Sequence, residues 1–399
     1  MKIAITGASG FVGRQLVPLL ETAGIDLLLL GRNPSALAAI FPDVPTGATE
    51  VLAQRGVGCD LLLHLAARNN NQPGTQAEFD AANVDYSVKL LSAAKAAGIP
   101  RFVYVSSIHA LDQSNIRPYA ESKRRAESAL RAAAEGIEVS TLYLPAVQGK
   151  SFSGKLAPLN RLPPILRQPA FRLLAALRPT VCIDRLAAHL ISGAPSGEEG
   201  RVILSDAQKG NLFYAATMRL IDYAFALTVL LVFWWVLLAA WVSVKSDSRG
   251  AGLFGQPRIG RHGKEFTCWK FRTMQVGTPQ AATHEVSASS VTKAGAFLRR
   301  TKIDELPQVW NILRGEIALI GPRPCLPVQT QLIEERRKRG VLDILPGISG
   351  LAQVEGIDMS DPARLARRDA DYVALRGILP DIQLILRTAR GGGQGDRVH

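Results

Sequence analysis

From Tyr223 to Val244 the chain runs 22 residues without a charge, YAFALTVLLVFWWVLLAAWVSV. At about 1.5 Å rise per residue, a helix of that length matches the hydrocarbon thickness of a bilayer. A buried core helix is the plainer alternative. Arg219 and Asp222 precede the segment, and Lys245, Arg249, Arg258, Arg261 and Lys264 follow it. With positive charge on both flanks, the positive-inside rule assigns no direction. A simple span would place the two halves of the chain on opposite sides of a membrane. A helix that enters and returns through the same leaflet would keep both beside cytosolic small molecules. The expected organisation is therefore 1–211, a re-entrant membrane helix over 212–245, and a second domain over 246–399.

The net charge of +13 suits nucleic acid, an anionic membrane surface or phosphate-bearing substrates. Basic patches interleaved with aromatics are missing, so nucleic acid is not expected as a partner. Cys59, Cys182, Cys268 and Cys325 lie far apart with no CxxC. They read as reduced thiols of a cytosolic compartment rather than a zinc site. The opening MKIAITGASG runs straight into a strand pattern, and no signal peptide is expected.

KIAIT (2–6) is a short apolar strand leading into Gly7-Ala-Ser-Gly10-Phe11-Val-Gly13, then a helical period, then a strand over 25–30. Glycines at a strand–helix turn let backbone N–H groups and the helix start approach a pyrophosphate. After the second strand, where a carboxylate would bind a free ribose 2′-hydroxyl, the chain has Gly31-Arg32-Asn33. Arg32 suits a 2′-phosphate, which favours NADP(H) over NAD(H); a solvated arginine at a strand end is the plainer reading. Further strands are read at Leu61–Leu65 and Phe102–Ser106. In Tyr119-Ala-Glu-Ser-Lys123 the tyrosine and lysine share a helix face at i and i+4. A nearby ammonium would favour the phenolate and fit Tyr119 for acid/base work.

TGASGFVG, HLAA (64–67), Asn83, VSS (105–107) and YAESK together resemble the extended short-chain dehydrogenase/reductases, the nucleotide-sugar epimerases, dehydratases and 4-reductases. The resemblance covers roughly 1–206. It implies a Rossmann-like doubly wound parallel sheet, with Ser107 as catalytic hydroxyl, Tyr119 as acid/base and Lys123 binding ribose and tuning Tyr119. Three departures stand out: a short interval from Ser107 to Tyr119, Ala120 in place of glycine, and a substrate region reduced to LPPILRQPAFRLLAALRP (162–179). That basic stretch could lie on a membrane surface or form a solvated loop.

Beyond residue 245, polar residues cluster in Lys270-Phe-Arg272-Thr-Met, in Leu298-Arg299-Arg300-Thr-Lys302-Ile303-Asp304-Glu305-Leu306-Pro307-Gln308, in Gly321-Pro-Arg323-Pro, and in PGISGLAQV (346–354). Ile303, Leu306, Val309, Trp310 and Leu313 recur at helical spacing, which predicts Asp304 and Glu305 in the first turn of an amphipathic helix. Adjacent carboxylates there point about 100° apart and can do different jobs. One can attack phosphorus and the other can hold Mg²⁺ on a diphosphate, with basic neighbours neutralising phosphate.

These motifs in this order after an apolar segment closely resemble the bacterial sugar transferase family, the monotopic phosphoglycosyltransferases that start glycan assembly on undecaprenyl phosphate. The resemblance runs from about Arg219 to Leu386. It implies a small, mostly helical α+β domain at the cytoplasmic face of the bacterial inner membrane. Asp304 would be the nucleophile, forming a covalent phospho-sugar and releasing UMP, and Glu305 the Mg²⁺ ligand. Lys270, Arg299 and Arg323, with Arg272 nearby, would handle phosphates. Arg219 and Asp222 match the start of a re-entrant helix, although the Ser-Pro pair that usually breaks it is replaced by Phe233-Trp234-Trp235. The stretch Gly356–Ser360 resembles a subgroup handling N-acetylated 6-deoxy sugars. The implied partners are a UDP-sugar, undecaprenyl phosphate and the bilayer, with a homodimer left open. Two other readings stand: an active transferase carrying a binding or regulatory N-terminal module, and a non-catalytic membrane scaffold.

Overall fold

Short, uniformly apolar strands alternate with helices through the first two hundred residues, a pattern that builds a parallel sheet covered on both faces. The computed structural model of the protein describes residues 1–69, 72–152, 154–277 and 290–391. The chain forms two compact units, Met1–Phe171 with Pro179–Asp206, and Arg172–Arg178 with Ala207–His399. The first unit thus closes at 206, five residues before the expected boundary. A short piece of the reduced 162–179 stretch belongs to the second unit.

The strands of the first unit are β1 (Lys2–Thr6), β2 (Asp26–Leu30), β3 (Thr46–Gly47), β4 (Leu61–His64), β5 (Arg101–Ser107), β6 (Glu138–Leu144), β7 (Ala146–Gln148), β8 (Thr180–Cys182) and β9 (Arg201–Ile203). The main sheet runs β3-β2-β1-β4-β5-β6-β9, and every neighbouring pair is parallel. This is the expected doubly wound sheet. Its helices are α1 (Phe11–Thr22), α2 (Pro34–Ile40), α3 (Leu52–Arg55), α4 (Gln76–Asp80), α5 (Tyr86–Ala96), α6 (Pro118–Ala132), α7 (Pro164–Leu177) and α8 (Ile183–Ile191). Ile3, Ile5, Leu27, Leu29, Leu61 and Leu63 pack toward α1 and α8. Ala4, Leu28, Leu30, Leu62, Phe102 and Tyr104 pack toward α5 and α6. Both pleat faces are apolar because both are covered.

The second unit carries α9 (Leu212–Leu231), α10 (Trp234–Asp247), α11 (Lys293–Thr301), α12 (Val309–Arg314), α13 (Thr330–Lys338), α14 (Leu351–Val354), α15 (Pro362–Leu375) and α16 (Ile378–Ala389). Its strands are an antiparallel hairpin, β10 (Leu253–Ile259) with β11 (Glu265–Phe271), and a parallel pair, β12 (Ala318–Ile320) with β13 (Gly347–Ser349). By length and composition α9 could cross a membrane.

Two helices occupy the segment expected as a re-entrant helix over 212–245. α9 stops at Leu231 and α10 starts at Trp234. Val232 N and Phe233 N both donate to Thr228 O, at 2.9 and 3.3 Å, so the ladder slips from i−4 to i−5 and breaks without a proline. Both helices then pack on the same small fold. Ala226 and Val229 of α9 meet Val309 and Ile312 of α12, while Ala240 and Val244 of α10 meet Phe271 and Leu298. The Asp222 carboxylate accepts from Leu319 N at 2.8 Å and from Arg219 at 3.2 Å, and Asp247 accepts from Ala294 N at 2.8 Å. Between these anchored ends Leu231, Phe233, Trp234, Trp235 and Leu238 are exposed.

Candidate active site

Strand β11 delivers Lys270, and Asn311 of α12 fixes its register. The buried Asn311 side chain accepts from Trp269 N at 3.1 Å and donates to Thr267 O at 2.7 Å. Opposite this strand α11 ends at Lys302, which takes a left-handed backbone with φ of 59°. The chain then makes a 3₁₀ turn over Ile303–Gln308 before α12 begins. The α-helical first turn expected for Asp304 and Glu305 is thus corrected to 3₁₀. Pro307 has no N–H to give to Ile303 O, so the turn closes through shorter bonds such as Glu305 N to Lys302 O at 3.2 Å.

The two carboxylates meet opposite electrostatics. One oxygen of Glu305 accepts from Lys270 Nζ at 3.0 Å and from Arg323 Nη2 at 2.9 Å. Burial alone would raise its pKa, but Arg323 and Lys270 overcome that and hold it well below the usual carboxylate range. Asp304 is 8% exposed. Burial, then the charge of Glu305, push its pKa up to about 6, against the pull of Lys270, Arg299 and Arg323. A small cleft lined by Arg258, Lys270, Gln308, Arg323 and Gly347 lies beside the pair.

Of the expected phosphate-handling residues, the structure brings Lys270 and Arg323 onto Glu305 and sets Arg299 within electrostatic reach of Asp304. Arg299 Nε donates to Thr273 Oγ1 at 2.9 Å. Arg272 goes elsewhere, donating at 2.9 Å to both the carbonyl and hydroxyl oxygens of Ser248 after α10. Sequence reasoning missed a supporting pair. Buried Arg336 donates from Nε to Asp369 Oδ2 at 2.9 Å, holds its Nη2 2.7 Å from the same oxygen as an ion pair, and donates to Arg323 O at 2.8 Å. Only the run of basic residues in α13 hinted at it. Glycines set the close approach of the third and fourth motifs. A Cβ on Gly347 would come within 2.1 Å of Gly321 N, so β12 and β13 can pair there only as they are.

In the first unit the glycine turn joins β1 to α1. Gly7 has φ of 79°, and a Cβ there would strike Ala66 N at 2.5 Å; a Cβ on Gly13 would strike Ala8 Cα at 2.4 Å. Gly10 caps α1 without a side chain, and the first turn from Phe11 holds no acid. The helix start therefore fits an anionic pyrophosphate. Arg32 is exposed at the end of β2. Asn83 sits in a π-helical turn over Ala81–Asp85; it accepts from Arg68 N at 2.8 Å and donates to Ser122 Oγ at 2.9 Å. The buried His64, unassigned from the sequence, bridges Thr6 Oγ1 at 2.6 Å and Ser87 Oγ at 2.9 Å.

Ser107 and Tyr119 are brought together, but the expected lowering of the Tyr119 pKa is absent. Burial pushes its phenol up, only partly offset by its hydrogen bond with Ser107. Lys123 is 2% exposed. Its Nζ donates to Val105 O at 2.9 Å and lies 4.6 Å from the Tyr104 ring centre, and burial pushes its pKa down to about 7.

The bacterial sugar transferase model matches residues 213–393. A UDP-glucose:undecaprenyl-phosphate glucose-1-phosphate transferase of Caulobacter vibrioides is 34% identical over 232 residues, 56% of this chain and 83% of the relative. The chain belongs to the bacterial sugar transferase family. The chain is also 36% identical over 236 residues to an undecaprenyl-phosphate glucose phosphotransferase of Komagataeibacter xylinus, covering 55% of the chain and 44% of the relative. It spans 39% of the length of the curated relatives from Haemophilus influenzae, Xanthomonas campestris and Salmonella typhimurium. The model of the NAD dependent epimerase/dehydratase family matches residues 3–169. Among solved structures, the Bordetella bronchiseptica enzyme WbmH in complex with NAD+ matches 52% of this chain and 75% of its own, at 20% identity and a TM-score of 0.40.

Proposed function

We propose that the second unit moves a sugar 1-phosphate from a UDP-sugar to undecaprenyl phosphate, the opening step of bacterial surface glycan synthesis. The opposed electrostatics of Asp304 and Glu305 carry this reading. A carboxylate oxygen of Asp304, deprotonated above its raised pKa, attacks the phosphorus that bears the sugar. The bond to the uridylyl oxygen breaks, UMP leaves, and an aspartyl phospho-sugar remains. A phosphate oxygen of the polyprenyl phosphate then attacks the same phosphorus and regenerates the carboxylate. Lys270, Arg299 and Arg323 stabilise charge on the transferring phosphoryl group. Among the described residues no three His, Cys, Asp or Glu side chains converge on a metal site. The carboxylates do fit a Mg²⁺ that brings most of its ligands with the diphosphate, and Glu305 would hold it. That ion would neutralise phosphate charge.

The re-entrant reading is supported by α9 and α10 packing on one fold with an exposed apolar turn between them. It puts the site at the cytoplasmic face of the inner membrane. The proposed donor sugar is an N-acetylated, 6-deoxygenated hexosamine, on the strength of Gly356–Ser360; the relatives carry glucose or galactose in their names. UMP release across a panel of UDP-hexoses and UDP-hexosamines, with Mg²⁺ and undecaprenyl phosphate, tests both. Release from none of them removes the transferase reading.

For the first unit, the turn Gly7–Gly13 would hold the pyrophosphate of NAD(P)(H), which supplies hydride chemistry when bound. Ser107 and Tyr119 would then donate to or accept from a sugar hydroxyl, so this unit would reduce or epimerise the nucleotide sugar. The bond from Lys123 to Val105 O favours a second reading, a dinucleotide-binding module without turnover. NAD(P)H oxidation by keto-sugar nucleotides, compared between the protein and Tyr119→Phe, decides between them.

A further inference from the structure

Gln308 closes the six-residue 3₁₀ turn that carries Asp304 and Glu305. Side chains three residues apart eclipse in such a turn, which rises about 2.0 Å per residue. Gln308 therefore stands on the same side of the turn as Glu305, about 6 Å further along. In the α-helix expected from the sequence the two would be offset by about 60°. The change of helix type thus brings a carboxamide onto the side where Lys270 and Arg323 reach Glu305. Gln308 is 3% exposed. It stands at the N-cap of α12 without capping it, and its carboxamide has no hydrogen-bond partner among the described residues. An unpaired buried amide is a cost to the fold, and a ligand would remove it. The carboxamide is not among the fully enclosed orphan groups. Gln308 lines the cleft with Arg258, Lys270 and Arg323, so the opening it has is onto that cleft.

Those three neighbours are cations, with donors and no acceptor. A ligand for this wall must bring acceptors and negative charge, which describes the oxygens of a diphosphate. We infer that Gln308 is a further catalytic residue, whose carboxamide N–H donates to a non-bridging oxygen of the sugar-bearing phosphoryl group. The inference rests on the transferase reading above. The phosphorus that Asp304 attacks must come within about 3.5 Å of that carboxylate. Gln308 belongs to the same turn, so the group in its reach is this phosphoryl and not the uracil at the far end of the donor. A neutral donor has a particular use there. Another cation would compete with Lys270 and Arg323 for Glu305, whereas a carboxamide bonds phosphoryl oxygen and leaves both ion pairs intact. The sugar-bearing phosphoryl group takes part in both half-reactions, and Gln308 therefore serves both.

The test uses the full chain and the UDP-sugar that the parent turns over fastest. Gln308→Met keeps the length of the side chain and removes the amide. UMP release reads the first half-reaction. Exchange of radiolabelled undecaprenyl phosphate into undecaprenyl diphospho-sugar, with nucleotide absent, reads the second alone. Removing one donor to transition-state charge lowers kcat by roughly a hundredfold or more, so a loss of at least about tenfold is expected in both assays. The thermal midpoint should stay unchanged or rise, because an unpaired amide gives way to an apolar side chain. UMP release at the parental rate overturns the proposal. Slower UMP release with unchanged lipid exchange also overturns it, because Gln308 then serves the leaving nucleotide. Loss of both activities with a lowered midpoint overturns it too, since the role is then structural. Gln308→Glu, of the same shape without the N–H, enters the same two assays should Gln308→Met fail to fold, and parental rates in it overturn the proposal. A parent that releases no UMP from any UDP-sugar removes the transferase reading together with this one.

Discussion

Asp304 shows what a buried carboxylate does to a fold. Its pKa is raised to about 6, above an unfolded value near 4. Between those values the folded state binds more protons than the unfolded chain, so this group's contribution to stability falls as pH rises through that window. Asp304→Asn removes the ionisation. The variant should release no UMP, yet at pH 7.5 it should be more stable than the parent by on the order of 2 kcal/mol, a gain roughly half as large at pH 5. Thermal unfolding at the two pH values checks this. In the parent, UMP release should fall as pH drops through about 6, as Asp304, the proposed nucleophile, takes up its proton. The buried Arg336–Asp369 pair gives a second prediction. Asp369→Asn strands the guanidinium that holds the Arg323 carbonyl, and should cost about 3 kcal/mol in denaturant unfolding. The basic and acidic residues of the transfer site were legible because they crowd into short motifs. Arg336 with Asp369, and Asn311 with Thr267, were not. Such partners meet only through tertiary packing, and their sequence separation leaves no periodic trace.

Among the elements, β1, β2, β4 and β5 were legible almost to the residue, because four- to seven-residue apolar runs bounded by turns have few other readings, whereas β3 and β6 to β9 were not read. The apolar segment was legible in composition, but the position of its break was not. Its break depends on one carbonyl, that of Thr228, accepting two donors, and nothing in the spacing of apolar residues records this. The turn after α11 was misread because proline is tolerated in the first turn of an α-helix and is equally at home in a 3₁₀ turn. Lys302, left-handed at that junction, sets up a conformational prediction. Lys302→Gly should stabilise the protein by about 1 kcal/mol, and Lys302→Val should destabilise it by at least as much, both read from denaturant midpoints.

At the scale of the whole molecule, the residues proposed for the two chemistries do not mix. Every group assigned to phosphoryl transfer lies in the second unit, and the glycine turn lies in the first. Gly13→Val should abolish NAD(P)(H) binding, because even a Cβ meets Ala8 Cα at 2.4 Å. The same variant should still release UMP from supplied UDP-sugar, and calorimetry beside a UMP assay separates the two effects. The paired helices α9 and α10 also bear on biosynthesis. In the proposed re-entrant arrangement, Arg219 before the apolar stretch and Lys245 after it stay on one side, so neither cation would have to be hauled across hydrocarbon as the chain leaves the ribosome. Reversing the charge at either flank would then leave the nascent protein facing the same way, unlike a true span, whose orientation such residues dictate.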